Sequence, residues 1–165
     1  LTPTPDLCDR YGDRVAVAEP LFRDFGGRPA FAGEIETLRV FEDNALVRRV
    51  LERDGRGRVL VVDGGGSRRC ALVGGRLVSL AAGNGWSGIV VNGCVRDLAE
   101  IRAAPVGVKA LAACPRASSK TGKGEQGVPL TFAGVTFTPG QYVWGDEDGL
   151  VVGEGRDQAR AADRS

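Results

Sequence analysis

The chain has 165 residues, 42% of them hydrophobic, with 22 basic and 21 acidic side chains and a net charge of +1. That length suits one domain with a real core, and the charge balance leaves no electrostatic footprint for nucleic acid or a membrane surface. Histidine is absent, which removes Ser-His and Cys-His nucleophile pairs and the zinc sites built from histidine. Any general base must therefore be a carboxylate, a lysine or a water, and any metal a hard ion held by carboxylate, backbone and water. No apolar stretch approaches a membrane span, and no signal-peptide pattern is present. Cys8, Cys70, Cys94 and Cys114 are widely spaced with no CxxC, which reads as free thiols in a reducing cytoplasm. The 25 glycines fall singly and in pairs between apolar runs, so tight turns in a strand-rich fold are expected. The sequence begins at Leu1 and holds no methionine, so residues upstream of Leu1 are expected and an upstream targeting signal stays open.

Thr4-Pro5-Asp6 reads as a helix start, with Thr4 as N-cap, proline at the first helical position and an acid at the positive end; the helix should end near Gly12. Residues 22–27 read as loop. Residues 31–41 alternate, with Phe31, Gly33, Ile35 and Thr37 on one side, and predict a strand with one wetter face. Asp43 or Asn44 can cap a helix whose apolar stripe is Leu46, Val47, Val50 and Leu51, closed by Asp54-Gly55-Arg56-Gly57. Residues 59–62 form a buried strand running into Asp63-Gly64-Gly65-Gly66, a sharp turn. As a phosphate loop it lacks the Gly-Lys-Ser/Thr that should follow.

Gly74-Gly75 precedes the helical run from Arg76 to Ala82. The first amides of such a helix lack partners within it, so the segment is either an anion cradle or an ordinary turn into a packing helix. The stretch 88–97 organises the chain. Ile89, Val90 and Val91 form a β-branched run without polar alternation, which suits a strand buried on both faces under helices, as in a doubly wound sheet. The strand should end at Asn92-Gly93, a turn signal, with Arg96 and Asp97 just beyond. Arginine can grip an anion with two parallel hydrogen bonds and aspartate can hold a hard cation. The alternative is a salt bridge between neighbours that caps the next helix. Helix, strand, helix and strand in this order imply a βαβ crossover.

Residues 98–103 continue as a short helix and 105–110 as a strand. The polar, basic and glycine-rich run 117–126 reads as a mobile loop, either a lid or simply solvated. Residues 128–137 alternate around Gly134. A further strand at 141–144 turns at the acidic tip Asp146-Glu147-Asp148-Gly149 into Leu150-Val151-Val152, so the second half is rich in hairpins. The domain is expected over 1–153, with 154–165 a charged, frayed tail.

With these pieces placed, the sequence resembles the RraA family, which takes in regulators of ribonuclease E activity and 4-hydroxy-4-methyl-2-oxoglutarate aldolases, formerly described as MenG-like. The stretches that carry the resemblance are Phe25-Gly26-Gly27, Phe41-Glu42-Asp43-Asn44, Val62-Asp63-Gly64-Gly65-Gly66-Ser67, the run from Gly88 to Asp97, and Gly134-Val135-Thr136-Phe137-Thr138-Pro139-Gly140. They occur in the family's order and span residues 4–152. The resemblance implies an α/β fold, an α/β/β sandwich of the swivelling-domain type, assembled as ring-shaped trimers or paired hexamers. A doubly wound sheet would then be only partly right.

In the aldolase branch the resemblance implies a pyruvate-type keto acid held by amides at a helix start, here Gly74, Gly75, Arg76 and Leu77, and by an arginine, here Arg96. It implies a divalent ion, usually Mg2+, on the residue matching Asp97. One departure stands out: Gly75 occupies a position where the family's enzymes usually carry an acid implicated in proton handling. The expected outcome is metal-dependent oxaloacetate decarboxylation with weak or absent aldolase activity. The alternative function is a protein regulator that binds a ribonuclease E homologue. The missing acid at 75 and Glu100, three residues after Asp97, resemble that branch, and near-neutral charge suits a protein partner better than RNA. A methyltransferase reading fails for want of a glycine-rich cofactor fingerprint with its acidic partner.

Overall fold

A computed structural model describes residues 1–155; the charged tail beyond them lies outside the described residues. The chain order is α1 (Thr4–Tyr11), a 3-10 turn, β1 (Val15–Val17), β2 (Arg23–Asp24), β3 (Phe31–Arg39), α2 (Ala45–Leu51), β4 (Val59–Asp63), β5 (Ala71–Val73), α3 (Gly75–Gly83) and β6 (Gly88–Val95). It continues with α4 (Leu98–Ala103), β7 (Gly107–Ala113), β8 (Glu125–Gln126), β9 (Leu130–Phe132), β10 (Val135–Phe137), β11 (Tyr142–Asp146) and β12 (Gly149–Gly153).

The strands β3, β4, β6 and β7 pair in parallel, as the βαβ order requires. From β3 the sheet continues antiparallel through β11 and β12 to β1. Successive residues of a strand point to opposite faces, and here both faces are dry. Leu60, Val62, Ile89 and Val91 pack with Val47, Val50 and Leu51 of α2, Val78 and Ala81 of α3, and Ile101 of α4. Val59, Val61 and Val90 pack instead with Leu130, Phe137, Val143, Leu150 and Val152. The central strands are therefore covered by helices on one side and by strands on the other, which gives the α/β/β layering. A doubly wound sheet would need helices on both sides. A β-branched run reports burial but does not say what covers it.

Other expectations change in detail. The strand of Ile89 does not stop at Asn92-Gly93 but runs on to Val95, with an irregularity in its pairing to β7 between Val91 and Cys94. Asn92 bonds to the neighbouring turn here: its side-chain amide donates to Asp63 Oδ1 at 2.9 Å, while its backbone carbonyl accepts from the Gly64 and Gly66 N–H groups. It pins the Asp63-Gly64-Gly65-Gly66 turn instead of making one itself. Residues 23–24 are a short strand on β7, not loop. They are fastened there by Lys109, 2% exposed, whose ammonium meets Asp24 at 3.0 Å.

The first helix is capped differently too. Pro3, not Thr4, is its N-cap, and Thr4 donates through both its N–H and its hydroxyl to the Asp146 carboxylate, each at 2.7 Å. Burial alone would raise that carboxyl's pKa, but these bonds outweigh it and hold the pKa below the usual range. Several glycines serve packing instead of turning. Gly88, Gly107 and Gly145 sit in strands around Phe31, and a methyl on any of them would collide with its ring. The four cysteines are all free, as their spacing suggested.

Candidate functional site

Arg96 and Asp97 follow β6 directly. The Arg96 N–H donates to Val73 O at 3.0 Å, which keeps the chain on β5 for one residue past the strand. Asp97 then takes a left-handed backbone, φ 62 and ψ 48, and becomes the N-cap of α4. Aspartate is one of the few residues that tolerates this region, at a cost of about 1–3 kcal/mol for a non-glycine residue. The bend turns its side chain back across the sheet. Asp97 Oδ2 accepts from the Gly75 N–H at 2.9 Å, joining the end of β6 to the start of α3.

The two glycines make this approach possible. A methyl at Gly74 would stand 2.8 Å from Asp97 Oδ2 and 3.4 Å from Arg96 Cγ. A methyl at Gly75 would collide with Glu100 Oε2 and lie 2.7 Å from its Cδ. Of the first α3 amides, Gly75 is taken by Asp97 and Val78 bonds to Gly74 O. The N–H groups of Arg76 and Leu77 have no acceptor within the helix, and the helix dipole adds positive potential at this end.

Arg96, Asp97, Gly74, Arg76 and Leu77 all line one cavity of about 650 Å³, inside the size range of small-molecule sites. Gly75 does not line it; its role is the bond to Asp97 and the space it leaves. No salt bridge joins Arg96 to Asp97 among the described residues. Arg96 instead donates to Pro115 O at 3.3 Å, so its guanidinium and the carboxylate are held by different partners.

The opposite wall escaped the sequence reading. It consists of Asn44, Ala45 and Arg48 at the start of α2, with Ala71, Ala117, Ser118 and Lys120. Residues 117–122, read as a mobile loop, are tied down at several points. Ala71 N–H donates to Arg116 O at 2.8 Å, and Asn44 N–H to Ser119 O at 3.0 Å. The buried Asp43 carboxylate accepts from the Thr121 hydroxyl and N–H, from Gly122 N–H and from Ala45 N–H. Burial pushes the Asp43 pKa up, but these donors outweigh it and bring it down to about 2. The quoted Asp43-Asn44 pair and the lysines of the loop were the only local signals of this wall. Nothing in their spacing places them opposite Arg96.

Four lining side chains are cationic (Arg48, Arg76, Arg96 and Lys120) and two are carboxylates, Asp97 and Glu100. A chain of net charge +1 thus gathers positive charge in one cleft, which draws anions there. The arrangement can bind a small carboxylate and stabilise an oxyanion next to it.

Comparison with known proteins identifies relatives over nearly the whole chain. A curated relative from Pseudomonas fluorescens (strain Pf0-1) is 54% identical over 149 residues, 90% of this chain and 91% of its own, and bears the provisional name 4-hydroxy-4-methyl-2-oxoglutarate aldolase. One solved structure, the RNA-processing inhibitor RraA from Thermus thermophilis, is 52% identical, with a TM-score of 0.91 and 94% of both chains covered. Another, named S-adenosylmethionine: 2-dimethylmenaquinone methyltransferase from Geobacillus kaustophilus HTA426, is 50% identical, with a TM-score of 0.93 over 95% of this chain and 98% of that one. The model of the RraA-like family, described as Aldolase/RraA, matches residues 4–152, and the chain belongs to that family.

Proposed function

We propose that this chain is a carbon–carbon lyase acting on a pyruvate-type keto acid, with oxaloacetate decarboxylation as its basic reaction. The observation that supports it is the convergence of Arg96, Asp97 and the start of α3 on one cavity. Arg96 takes the substrate's C1 carboxylate, helped by the Arg76 and Leu77 N–H groups. Asp97 is the residue that would hold a divalent cation, Mg2+ by preference. No cluster of three His, Cys, Asp or Glu side chains suited to a metal exists among the described residues. An exposed carboxylate with one oxygen already bonded to Gly75, and the Glu100 carboxylate lining the same cavity, would suit an ion that keeps most of its water, as Mg2+ commonly does. When bound, such an ion withdraws electrons from the keto oxygen.

In decarboxylation the C3–C4 bond breaks, CO2 leaves, and the electron pair passes through C3 to the C2 oxygen, forming an enolate. The Arg96 guanidinium stabilises that developing charge. A proton from solvent at C3 then yields pyruvate, so no hydroxyl has to be deprotonated.

Assay of oxaloacetate decarboxylation with Mg2+ tests the proposal. Asp97→Ala should lower the rate at least about 10²-fold, the cost typical of losing an oxyanion stabiliser. A rate unchanged by that substitution would overturn it. A second reading, binding and inhibition of a ribonuclease E homologue, draws support from the Thermus relative's name. Inhibition that survives Asp97→Ala would make it independent of the cavity. We also assign the working form to a ring-shaped trimer, alone or paired into a hexamer, in the cytoplasm. Among the described residues no helix is long and apolar enough to cross a membrane.

A further inference from the structure

Resting on that reading of the cavity, we propose that the Arg76 side chain, with Arg48 on the opposite wall, forms a second anion subsite that makes the cavity selective for 2-oxo diacids over 2-oxo monoacids. Arg96 and the α3 amides account for one carboxylate, yet the cavity of about 650 Å³ has room well beyond a three-carbon acid. The four cationic side chains of its lining outnumber the two carboxylates, and a divalent ion on Asp97 would widen that excess. A ligand with one carboxylate leaves part of the surplus unanswered, and a second carboxylate balances it.

Arg76 is the cation of the lining that has no partner of its own. Among the described residues no carboxylate pairs with it, neither Asp97, which is bonded to the Gly75 N–H, nor Glu100, which packs over Gly75. Arg96 is tied to Pro115 O, and Lys120 to Ser118 O. A helical side chain leans toward the N-terminus of its own helix, which sends the Arg76 guanidinium back over the start of α3 and along the cavity. One residue then serves both ends of a ligand: its N–H meets the C1 carboxylate, and its long side chain reaches the far one. Arg48 spends Nε on Glu52 Oε1 at 3.1 Å, in an exposed pair one helical turn apart, and keeps both terminal amino groups for a ligand.

The length of the ligand follows from the chemistry. A guanidinium on the C4 carboxylate of oxaloacetate would stabilise the very charge that decarboxylation removes, and so would slow the reaction. The far carboxylate held by Arg76 is therefore one that stays, and it belongs to a 2-oxo diacid longer than oxaloacetate. The simplest such acid is 2-oxoglutarate. Its far carboxylate lies one carbon too distant from the keto group to leave as CO2, so it binds without reacting.

The test is calorimetric titration of the full chain, with Mg2+ present, by 2-oxoglutarate, pyruvate and 2-oxopentanoate, which matches 2-oxoglutarate in carbon count but lacks the far carboxylate. The wild type should bind 2-oxoglutarate about tenfold more tightly than 2-oxopentanoate, the worth of one charged hydrogen-bonded contact. Arg76→Gln should erase that preference and keep pyruvate affinity within about twofold, while Arg48→Gln, at an exposed and already paired side chain, should cut the preference about threefold. Arg49→Gln removes the adjacent arginine, which does not line the cavity, and should leave the preference intact. A wild type that binds pyruvate but does not distinguish the two longer acids overturns the subsite and leaves the cavity reading standing. So does a preference that survives Arg76→Gln, or one that falls equally in Arg49→Gln and so reports only the general field. Pyruvate affinity that falls as far as 2-oxoglutarate affinity in Arg76→Gln places that side chain at the C1 carboxylate and overturns the proposal. A wild type that binds none of the three acids overturns this proposal and the cavity reading together.

Discussion

On the helix side of the central sheet, β6 ends in Arg96 and Asp97, which meet the start of α3 at a polar cleft. On the strand side, the same sheet buries Val59, Val61 and Val90 against the hairpins β9–β10 and β11–β12. The contrast follows from how each side closes. Parallel strands end where helices begin, so unpaired amides and bent backbone collect there. Antiparallel hairpins return their amides to each other and leave only side chains to pack. The helix side can therefore carry chemistry, while the strand side holds the geometry constant.

Three substitutions can break or sharpen this division. The largest effect should come from Phe137→Ala, because Phe137 is fully buried on the strand side and stacks on Phe132 with centroids 4.6 Å apart. A loss of about 3–5 kcal/mol in urea unfolding is expected, with decarboxylation per folded molecule unchanged. A large fall in kcat instead would show that the two sides are not separate.

Asp43→Asn sits behind the cavity wall and should cost about 2 kcal/mol near neutral pH, from a pKa held at about 2 against an ordinary 3.8. Because the folded pKa is the lower one, this stabilisation is present above about pH 4 and fades as pH falls toward 2. Unfolding midpoints of wild type and variant should converge over that window; a gap that persists at pH 2 would refute the assignment. The smallest effect belongs to Arg96→Lys. It keeps the charge but loses the planar fork, so KM for oxaloacetate should rise roughly tenfold, about 1.4 kcal/mol, with the melting temperature nearly unchanged. An unchanged KM would remove Arg96 from substrate binding.

Much of the fold was legible because burial leaves a period. The alternation of residues 31–39 and the stripe of Leu46, Val47, Val50 and Leu51 both appear as read. The hairpin at Gly134 forms through positive φ at Ala133 and Gly134, 52° and 73°. Misreadings arose where a distant partner overrode a local signal. Asn92-Gly93 carries a turn signature, but Asn92 is recruited by Asp63, 29 positions earlier. In-strand glycines look like turns until Phe31 is seen to rest among them. For the candidate site, Arg96, Asp97 and the Gly74–Gly75 step stood out because they flank a strand end and a helix start. Asn44, Arg48 and Lys120 did not, since their place opposite depends on Asp43 reaching Thr121, 78 positions away.

The strand β3 has one further implication. It pairs with β11 through Phe31 to Glu34 and with β4 from Ile35 onward, so a single covalent strand threads both layers. Neither layer can slide past the other without tearing one of those ladders. Solvent exchange at the β3 amides should therefore be among the slowest in the chain, slower than at the cavity rim formed by the start of α2 and the 117–120 segment.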